Sequence, residues 1–258
     1  MPDIEIATAF EKIFYPKIVR IIGRTFSTPK CSWQGTGCII GHVLNPDYKP
    51  KALVATAGHL LKSQHPVEWT LERFDCSNKT LRKVTFRITP QNPKGPKVFY
   101  YGADPRLDIG AMFVDSDCVD GQSFLELDNA GNPIEPLLPL IDPRIGFVPG
   151  SRVAWAGFPA NVEKVLGFPH ICYYEGVIAA MIDRGDHPPL YLLDGHNTAG
   201  VSGAPLWTYN DNTSRVELIG IIVSYLSDEQ KKLPGFVCAT PIHPLIRYLE
   251  NFKPSLPH

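Results

Sequence analysis

Short apolar runs recur along the chain between clusters of Gly, Pro, Asn and Asp, and most of these runs are rich in Val, Ile, Phe and Tyr. This pattern is typical of strands, because β-branched and aromatic side chains pack well on a pleated surface. Long amphipathic patterns with helical spacing are nearly absent, so alternating βαβ units are not expected. The chain is therefore predicted to be an all-β protein.

The apolar runs fall into two sets. The first set predicts strands at residues 37–43, 53–57, 67–74, 83–88 and 109–114. The second set predicts strands at residues 152–156, 172–182, 190–193, 204–209, 217–224 and 235–240. A stretch rich in Pro and Gly, residues 131–150, separates the two sets and is interpreted as a linker.

Two helices are predicted at the ends of the chain. An N-terminal helix over residues 4–14 would end at Pro16, and a C-terminal helix over residues 244–252 would begin with a proline, which the first helical turn tolerates. The expected division is residues 1–135 for the N-terminal helix and first barrel. Residues 136–258 would hold the linker, the second barrel and the C-terminal helix.

Charge and composition exclude several classes of partner. The chain has 25 Lys and Arg against 26 Asp and Glu, so no basic surface for nucleic acid is expected. No apolar run approaches the roughly 18 residues of a membrane-spanning helix, and no signal peptide is expected. The six cysteines lack a zinc-binding CxxC pair. We therefore expect free thiols and a cytoplasmic location.

A serine stands between two glycines in the segment Gly200-Val201-Ser202-Gly203, directly before a predicted strand. Glycine permits positive φ angles and close approach of other atoms, which a loop that presents a nucleophile beside free N–H groups requires. Taken alone, the segment is more typical of an ordinary surface turn, because Gly and Ser are common in turns.

Two further polar residues stand at strand boundaries. His59 follows the strand 53–57, and small residues leave room around its imidazole. Asp108 precedes the apolar strand 109–114, where its carboxylate would be partly buried and would require a hydrogen-bond partner. Each residue also has a non-catalytic interpretation. His59 could be a structural histidine, and Asp108 could cap the strand. The chain order His, Asp, Ser is nevertheless one of the known orders of a catalytic triad.

Three segments resemble the active-site motifs of the trypsin-like (chymotrypsin-fold, S1-type) serine peptidases: Thr-Ala-Gly-His ending at His59, Asp-Ile-Gly-Ala beginning at Asp108, and Gly-Val-Ser-Gly-Ala-Pro around Ser202. Their separations are similar to those of the family, and the resemblance extends over residues 35–252. Residues 153–159 look more like the bacterial, viral and stress-protease branches than like digestive trypsins. The resemblance implies two six-stranded antiparallel β-barrels, with the C-terminal helix and a short N-terminal helix.

A serine endopeptidase activity is what this resemblance implies. Ser202 would attack the peptide carbonyl and form an acyl-enzyme, His59 would take its proton, and Asp108 would orient the imidazole. The backbone N–H groups of Gly200 and Ser202 would form the oxyanion hole. The expected partner is a polypeptide substrate, and no cofactor or metal is expected.

The resemblance also assigns the substrate-binding residues His196, Ser224, Tyr225, Leu226 and Gly235. The strand edge of residues 224–226 would pair with the substrate backbone. His196 would lie at the base of the primary specificity pocket, with Leu226 near its mouth. Because no acidic residue lies there, cleavage after Lys or Arg is not expected. Whether His196 contacts a polar or acidic side chain, or Leu226 admits only small ones, stays open.

Two departures from the family pattern bear on regulation. Val201 stands where secreted trypsins carry the aspartate that pairs with a newly cut N-terminus, so activation by that cleavage is not expected. Gly58, Thr198 and Leu226 stand where secreted relatives often have cysteines, which agrees with a reducing compartment.

Three alternatives differ from this prediction. A pseudoprotease, a protein-binding module on the same fold, would keep the residues without the activity. A metalloenzyme could use His170 and Cys172, but the chain has no HExxH motif. A cysteine peptidase of this fold is excluded because Ser occupies position 202. The physiological substrate, the oligomeric state and any regulatory partner stay open.

Overall fold

The computed structural model describes residues 14–25, 32–45, 48–61, 67–75, 80–88, 98–100, 107–115, 149–185, 187–210, 215–226 and 235–252. These residues form two antiparallel β units, which together carry the predicted site residues. The fold is therefore all-β, as the sequence pattern predicted.

The first unit is a seven-stranded sheet. Its strands are β1 (Ile18–Thr25), β2 (Ser32–Asn45), β3 (Tyr48–Ala57), β4 (Val67–Asp75), β5 (Thr80–Ile88), β6 (Val98–Tyr100) and β7 (Ile109–Asp115). They lie in the order β5-β4-β1-β2-β3-β7-β6, and each neighbouring pair is antiparallel.

The second unit is a closed six-stranded barrel. Its strands are β8 (Arg152–Gly157), β9 (Cys172–Arg184), β10 (His187–Asp194), β11 (Pro205–Asn210), β12 (Arg215–Leu226) and β13 (Phe236–Pro241), in the order β10-β13-β12-β11-β8-β9. All six strands of the second predicted set are present. The prediction of a six-stranded barrel in this half of the chain is confirmed.

The first half differs from the prediction of a second six-stranded barrel. It has seven strands, and in the part of the chain that the structure describes its edge strands β5 and β6 do not pair with each other. Strand β1 was not predicted. Its first four residues are all buried, so it lacks an alternation of apolar and polar positions. Closure depends on pairing between edges that are distant in sequence, and local patterns do not encode that pairing.

Three helices and a 3₁₀ turn complete the described elements: α1 (Gly58–Leu61), α2 (Ala160–Leu166), α3 (His243–Phe252) and the turn Tyr15–Lys17. Helix α3 confirms the predicted C-terminal helix. The predicted N-terminal helix lies outside the described residues except for Phe14, as does the predicted domain boundary at residue 135. None of the described helices is long and apolar enough to cross a membrane.

The two units share a buried apolar interface as well as having cores of their own. Cys38 and Ile109 from the first sheet pack in one cluster with Trp207 and Leu218 from the barrel. Phe14 stacks on Trp207 with ring centroids 4.4 Å apart. Since burial of apolar surface is the main favourable term in folding, this interface keeps the two halves of the candidate site in one fixed arrangement.

Candidate active site

His59 and Asp108 lie together because their strands are neighbours. β3 ends at Ala57 opposite Ile109, where β7 begins, so α1 after β3 meets the residue before β7. The His59 ring Nδ1 lies 2.6 Å from Oδ2 of Asp108. The backbone N–H of His59 donates to Oδ1 of the same carboxylate, also at 2.6 Å. Antiparallel pairing thus joins two residues that are far apart in sequence.

Asp108 has an unusual backbone conformation. Its φ angle is +48°, and no other non-glycine residue in the described segments has a positive φ. Aspartate tolerates this region better than most residues do. Its own carbonyl accepts a hydrogen bond from Gly58 N at 2.6 Å, and the carbonyl of Leu107 accepts one from the Thr240 hydroxyl at 2.6 Å. These contacts hold the strained residue in place on both sides.

The carboxylate of Asp108 favours one tautomer of the His59 imidazole. A carboxylate oxygen accepts a hydrogen bond, so Nδ1 of neutral His59 carries the hydrogen and Nε2 keeps its lone pair. The His59 side chain is 44% exposed, against 24% for Asp108. The ring is thus fixed at its inner nitrogen and free to accept a proton at the other.

The loop that carries Ser202 is shaped by two glycines with positive φ, Gly200 at +95° and Gly203 at +91°. A Cβ on Gly203 would overlap the carbonyl oxygen of Thr36, and a Cβ on Gly200 would overlap that of Phe158. Both positions therefore require glycine for conformation and for space.

Most backbone N–H groups of this loop donate within the protein. Val201 N donates to Thr198 O at 3.2 Å, and the N–H groups of Gly203 and Ala204 donate to Ile222 O and Val201 O, at 2.7 and 2.9 Å. Among the described residues, the structure assigns no hydrogen-bond partner to the N–H groups of Gly200 and Ser202. These are the two N–H groups that the resemblance to serine peptidases implies as oxyanion donors.

The peptide units of these two N–H groups are anchored at their carbonyls. Ala199 O, in the peptide before Gly200, accepts from Ala160 N at 2.8 Å. Val201 O, in the peptide before Ser202, accepts from Ala204 N. In a trans peptide the C=O and N–H point in opposite directions, so a bonded carbonyl orients the N–H on the other side. Such oriented donors can stabilise a developing negative charge.

Thr36 connects the first sheet to this loop, and sequence reasoning missed it. Its side chain is fully buried; its backbone N–H donates to Ser202 O at 2.7 Å and its hydroxyl donates to Gly200 O at 2.8 Å. The same hydroxyl accepts from Phe158 N at 3.0 Å. The available signal was Gly35-Thr36-Gly37, because glycines within a strand often mark a close approach of backbone.

Ser202 and the turn of His59 approach each other across Gly35. A Cβ on Gly35 would overlap the side chain of Leu60 and would lie 3.0 Å from Ser202 O. In the described part of the chain, the Ser202 hydroxyl makes no hydrogen bond to the His59 ring. The structure therefore joins His59 to Asp108 directly and brings Gly35 close to both Leu60 and the Ser202 carbonyl, but among the described residues it shows no third contact of a triad.

The predicted substrate edge is open on one side. Residues 224–226 of β12 pair with β13, whereas the pairing of β12 with β11 ends at Ile221. Within the described segments no strand covers the other side. Leu226 is 51% exposed and is paired with Phe236, which is 43% exposed. His196 and Ser224 are also exposed, Gly235 is buried, and the backbone of Tyr225 pairs with Val237.

Cys38, Cys172 and Cys238 are free thiols, and Cys31, Cys76 and Cys118 lie outside the described residues. Burial raises the pKa of Cys38 to about 12, against a smaller lowering by the nearby charge of Lys17. Burial also raises the pKa of Cys238. Because the thiolate is the nucleophilic form, these two cysteines are packing residues.

Comparisons with known proteins identify the fold. No protein-family model and no curated protein sequence matches the chain. The Rv3671c protease from M. tuberculosis, in its active form, is similar with a TM-score of 0.55 and 16% identity over 96% of this chain and 83% of that one. A Ser-to-Ala variant of the HtrA-type protease AlgW, solved with a decapeptide, has a TM-score of 0.58 and 13% identity over 95% and 66% of the two chains.

A thermostable serine protease, AL20, from an extremophilic microorganism has a TM-score of 0.54 and 13% identity over 90% of this chain and 94% of its own. At this identity, the likeness is evidence of a shared fold. The chain has the fold of the trypsin-like and HtrA-type serine proteases, and the resemblance predicted from the three motifs is confirmed at this level.

Proposed function

We propose that this chain is a serine endopeptidase that uses His59, Asp108 and Ser202 to hydrolyse peptide bonds through an acyl-enzyme. The observation that carries the proposal is the carboxylate of Asp108 bound to both the backbone and the ring of His59. This arrangement leaves the other imidazole nitrogen as the proton acceptor that Ser202 would require. The fold shared with serine proteases supports the proposal.

In the first half of the reaction, Ser202 Oγ attacks the carbonyl carbon of the scissile bond while its proton passes to His59 Nε2. Asp108 stabilises the imidazolium that results. The N–H groups of Gly200 and Ser202 bind the oxyanion of the tetrahedral intermediate. The C–N bond then breaks, His59 donates its proton to the leaving amine, and an ester with Ser202 remains.

In the second half, a water molecule attacks the ester carbonyl and His59 takes the proton from that water. The C–O bond to Ser202 breaks, and His59 returns the proton to Ser202 Oγ. The second product leaves with a free carboxyl group, and the enzyme regains its starting state. The same two N–H groups stabilise the oxyanion in both halves, so their orientation affects both steps.

An extended polypeptide is the substrate that the open edge fits. Residues 224–226 offer backbone groups on one side, which a peptide strand can pair with independently of its side chains. The similar AlgW structure was solved with a decapeptide, which supports a peptide ligand for this fold. Exposed His196 offers no negative charge, so cleavage after Lys or Arg is not expected.

A pseudoprotease is the second candidate, and one observation favours it: the Ser202 hydroxyl makes no hydrogen bond to His59 among the described contacts. In active enzymes, however, such catalytic hydrogen bonds are often long or poorly aligned without substrate and tighten in the Michaelis complex. Reactivity of the serine therefore distinguishes the two candidates.

A fluorophosphonate probe tests the proposal, because it reacts with a serine that a neighbouring base activates. We expect one adduct on the native protein by intact mass, and none on Ser202→Ala or His59→Ala. Ser151→Ala, a change at the start of the barrel, serves as the matched control and should be labelled like the native protein. Absence of an adduct on folded native protein would support the pseudoprotease instead.

A further inference from the structure

Helix α2 lies on the surface and contributes no buried residue to the protein. Val165 is 83% exposed, and Leu166 and Phe168 are also exposed. A helix of seven residues is too short to be stable alone, and most helices in proteins are held by an apolar face packed on the core. Since α2 lacks such a face, its position depends on polar contacts.

Those contacts lie just before α2 and in its first turn. Gln34 Nε2 donates to the carbonyl of Phe158, just before the helix, at 3.1 Å. The carboxylate of Glu163 forms an ion pair with Arg20, the one ion pair that α2 makes with described residues. Ala160 N, in the first residue of the helix, donates to Ala199 O. The first residue of α2 thus contacts the loop that carries Ser202, while Glu163 contacts the first sheet.

Arg20 is a rigid partner for Glu163. It lies in β1, between β2 and β4, and its side chain is only 9% exposed. Its guanidinium also donates to Glu72 Oε2 at 2.8 Å and to Gln34 Oε1 at 3.0 Å. The planar guanidinium offers several fixed donors, so these bonds determine the direction in which it meets Glu163.

The contact of Ala160 with Ala199 orients one of the two oxyanion donors. It holds the peptide before Gly200, whose N–H has no partner among the described residues. Thr36 binds Gly200 O, which belongs to the following peptide, and therefore does not hold this one. Glycine at a φ of +95° has unusual freedom to rotate, so the peptide needs an external anchor.

We propose that Arg20 and Glu163 are positioning residues for the oxyanion site. Their ion pair fixes α2 against the first sheet, α2 fixes the carbonyl of Ala199, and this carbonyl fixes the direction of the Gly200 N–H. The inference rests on the proposed function, because it assigns the Gly200 N–H to oxyanion binding. It concerns residues that do not touch the substrate and act through the peptide before Gly200.

Glu163→Gln tests the inference, because it removes the charge and keeps the shape of the side chain. Glu175→Gln is the matched control, since Glu175, in strand β9 of the barrel, also lies near an arginine, Arg152, at 3.6 Å. Arg20→Lys, which keeps the positive charge, should retain more activity than Arg20→Met. The readouts are the rate constant of Ser202 acylation, kcat and KM for a peptide substrate, and the ¹⁵N–¹H NMR signal of Gly200.

For Glu163→Gln we expect the rate constant of acylation and kcat to fall about tenfold, with little change in KM. This loss is smaller than the roughly 100- to 1,000-fold effect of deleting an oxyanion donor. The Gly200 signal should shift, and Glu175→Gln should match the native protein in every readout. An acylation rate within twofold of native and an unmoved Gly200 signal would overturn the inference, even if thermal stability fell.

Failure of the proposed function would look different. If the native protein is folded but the probe does not label it, the peptidase proposal fails. The Gly200 NMR signal then tests by itself whether the ion pair of Arg20 and Glu163 orients the peptide before Gly200. A shift in Glu163→Gln but not in Glu175→Gln supports this effect, and no shift in either variant overturns it.

Discussion

Asp108 holds His59 at two points at once, with one carboxylate oxygen on the backbone N–H and the other near the ring Nδ1, each at 2.6 Å. The backbone contact fixes where the residue lies, and the ring contact fixes how the imidazole is turned. A carboxylate can accept at both oxygens, whereas an amide can accept at only one. The anionic side chain is thus needed for the full arrangement.

Asp108→Asn should lower the rate of fluorophosphonate labelling by about 1,000-fold or more, because the amide favours the wrong imidazole tautomer. The fold should survive, since asparagine also tolerates a positive φ. Labelling rates and circular-dichroism melting curves check this, with Asp194→Asn on the exposed barrel surface as control. A loss under tenfold would contradict the assigned role of the carboxylate.

Gly203→Ala should destabilise the protein more than Gly150→Ala, although the two glycines have nearly the same φ, +91° and +94°. A Cβ at Gly150 meets no atom within 4 Å, so that variant isolates the conformational cost of about 1–2 kcal/mol. At Gly203 the Cβ overlaps Thr36 O, which adds about 1–3 kcal/mol for overpacking. Urea unfolding measures the free energy of unfolding of both variants. Equal losses in the two variants would show that the loop moves to accommodate the added Cβ at Gly203 without further cost.

Thr36→Val should cost about 1–3 kcal/mol of stability and should also slow acylation. The valine has the same shape but cannot bind Gly200 O or Phe158 N, which leaves two polar groups without this partner. Thr36→Ser keeps the hydroxyl and is the control for the loss of a methyl group. Similar acylation rates in the two variants would exclude a role for the hydroxyl in shaping the loop.

Stability should fall at alkaline pH through Cys38. Burial raises the pKa of this thiol from 9.0 to about 12, so the folded protein keeps a proton that the unfolded chain loses. The contribution is fully present below pH 9 and decreases by about 1.4 kcal/mol per pH unit as the pH rises towards 12.

Urea unfolding with a reductant at pH 8 and pH 10 measures this effect. The native protein should lose more stability between the two values than Cys38→Ala does. Burial also raises the pKa of Tyr191 to about 12, but that residue contributes equally in both proteins. Parallel pH dependence in the two proteins would rule out the predicted contribution of Cys38.

Local patterns in the sequence determined the all-β class, the six strands of the barrel, helix α3 and the motifs around His59, Asp108 and Ser202. These features depend on neighbouring residues: apolar runs between turn residues, and glycines beside a serine. The contact of His59 with Asp108 was predicted only through resemblance to a family, and the structure adds its two-point geometry.

Tertiary structure alone decided the rest. The seven-strand order of the first sheet, the place of Thr36 beneath the Ser202 loop, and the ion pair of Arg20 with Glu163 all join segments distant in sequence. Helix α2 has no buried apolar face, and its apolar residues Val165 and Leu166 are exposed, so its position depends on polar contacts that a hydrophobic pattern does not show. Such contacts form only when strand pairing and the apolar interface bring the segments together, so local patterns do not specify the partners.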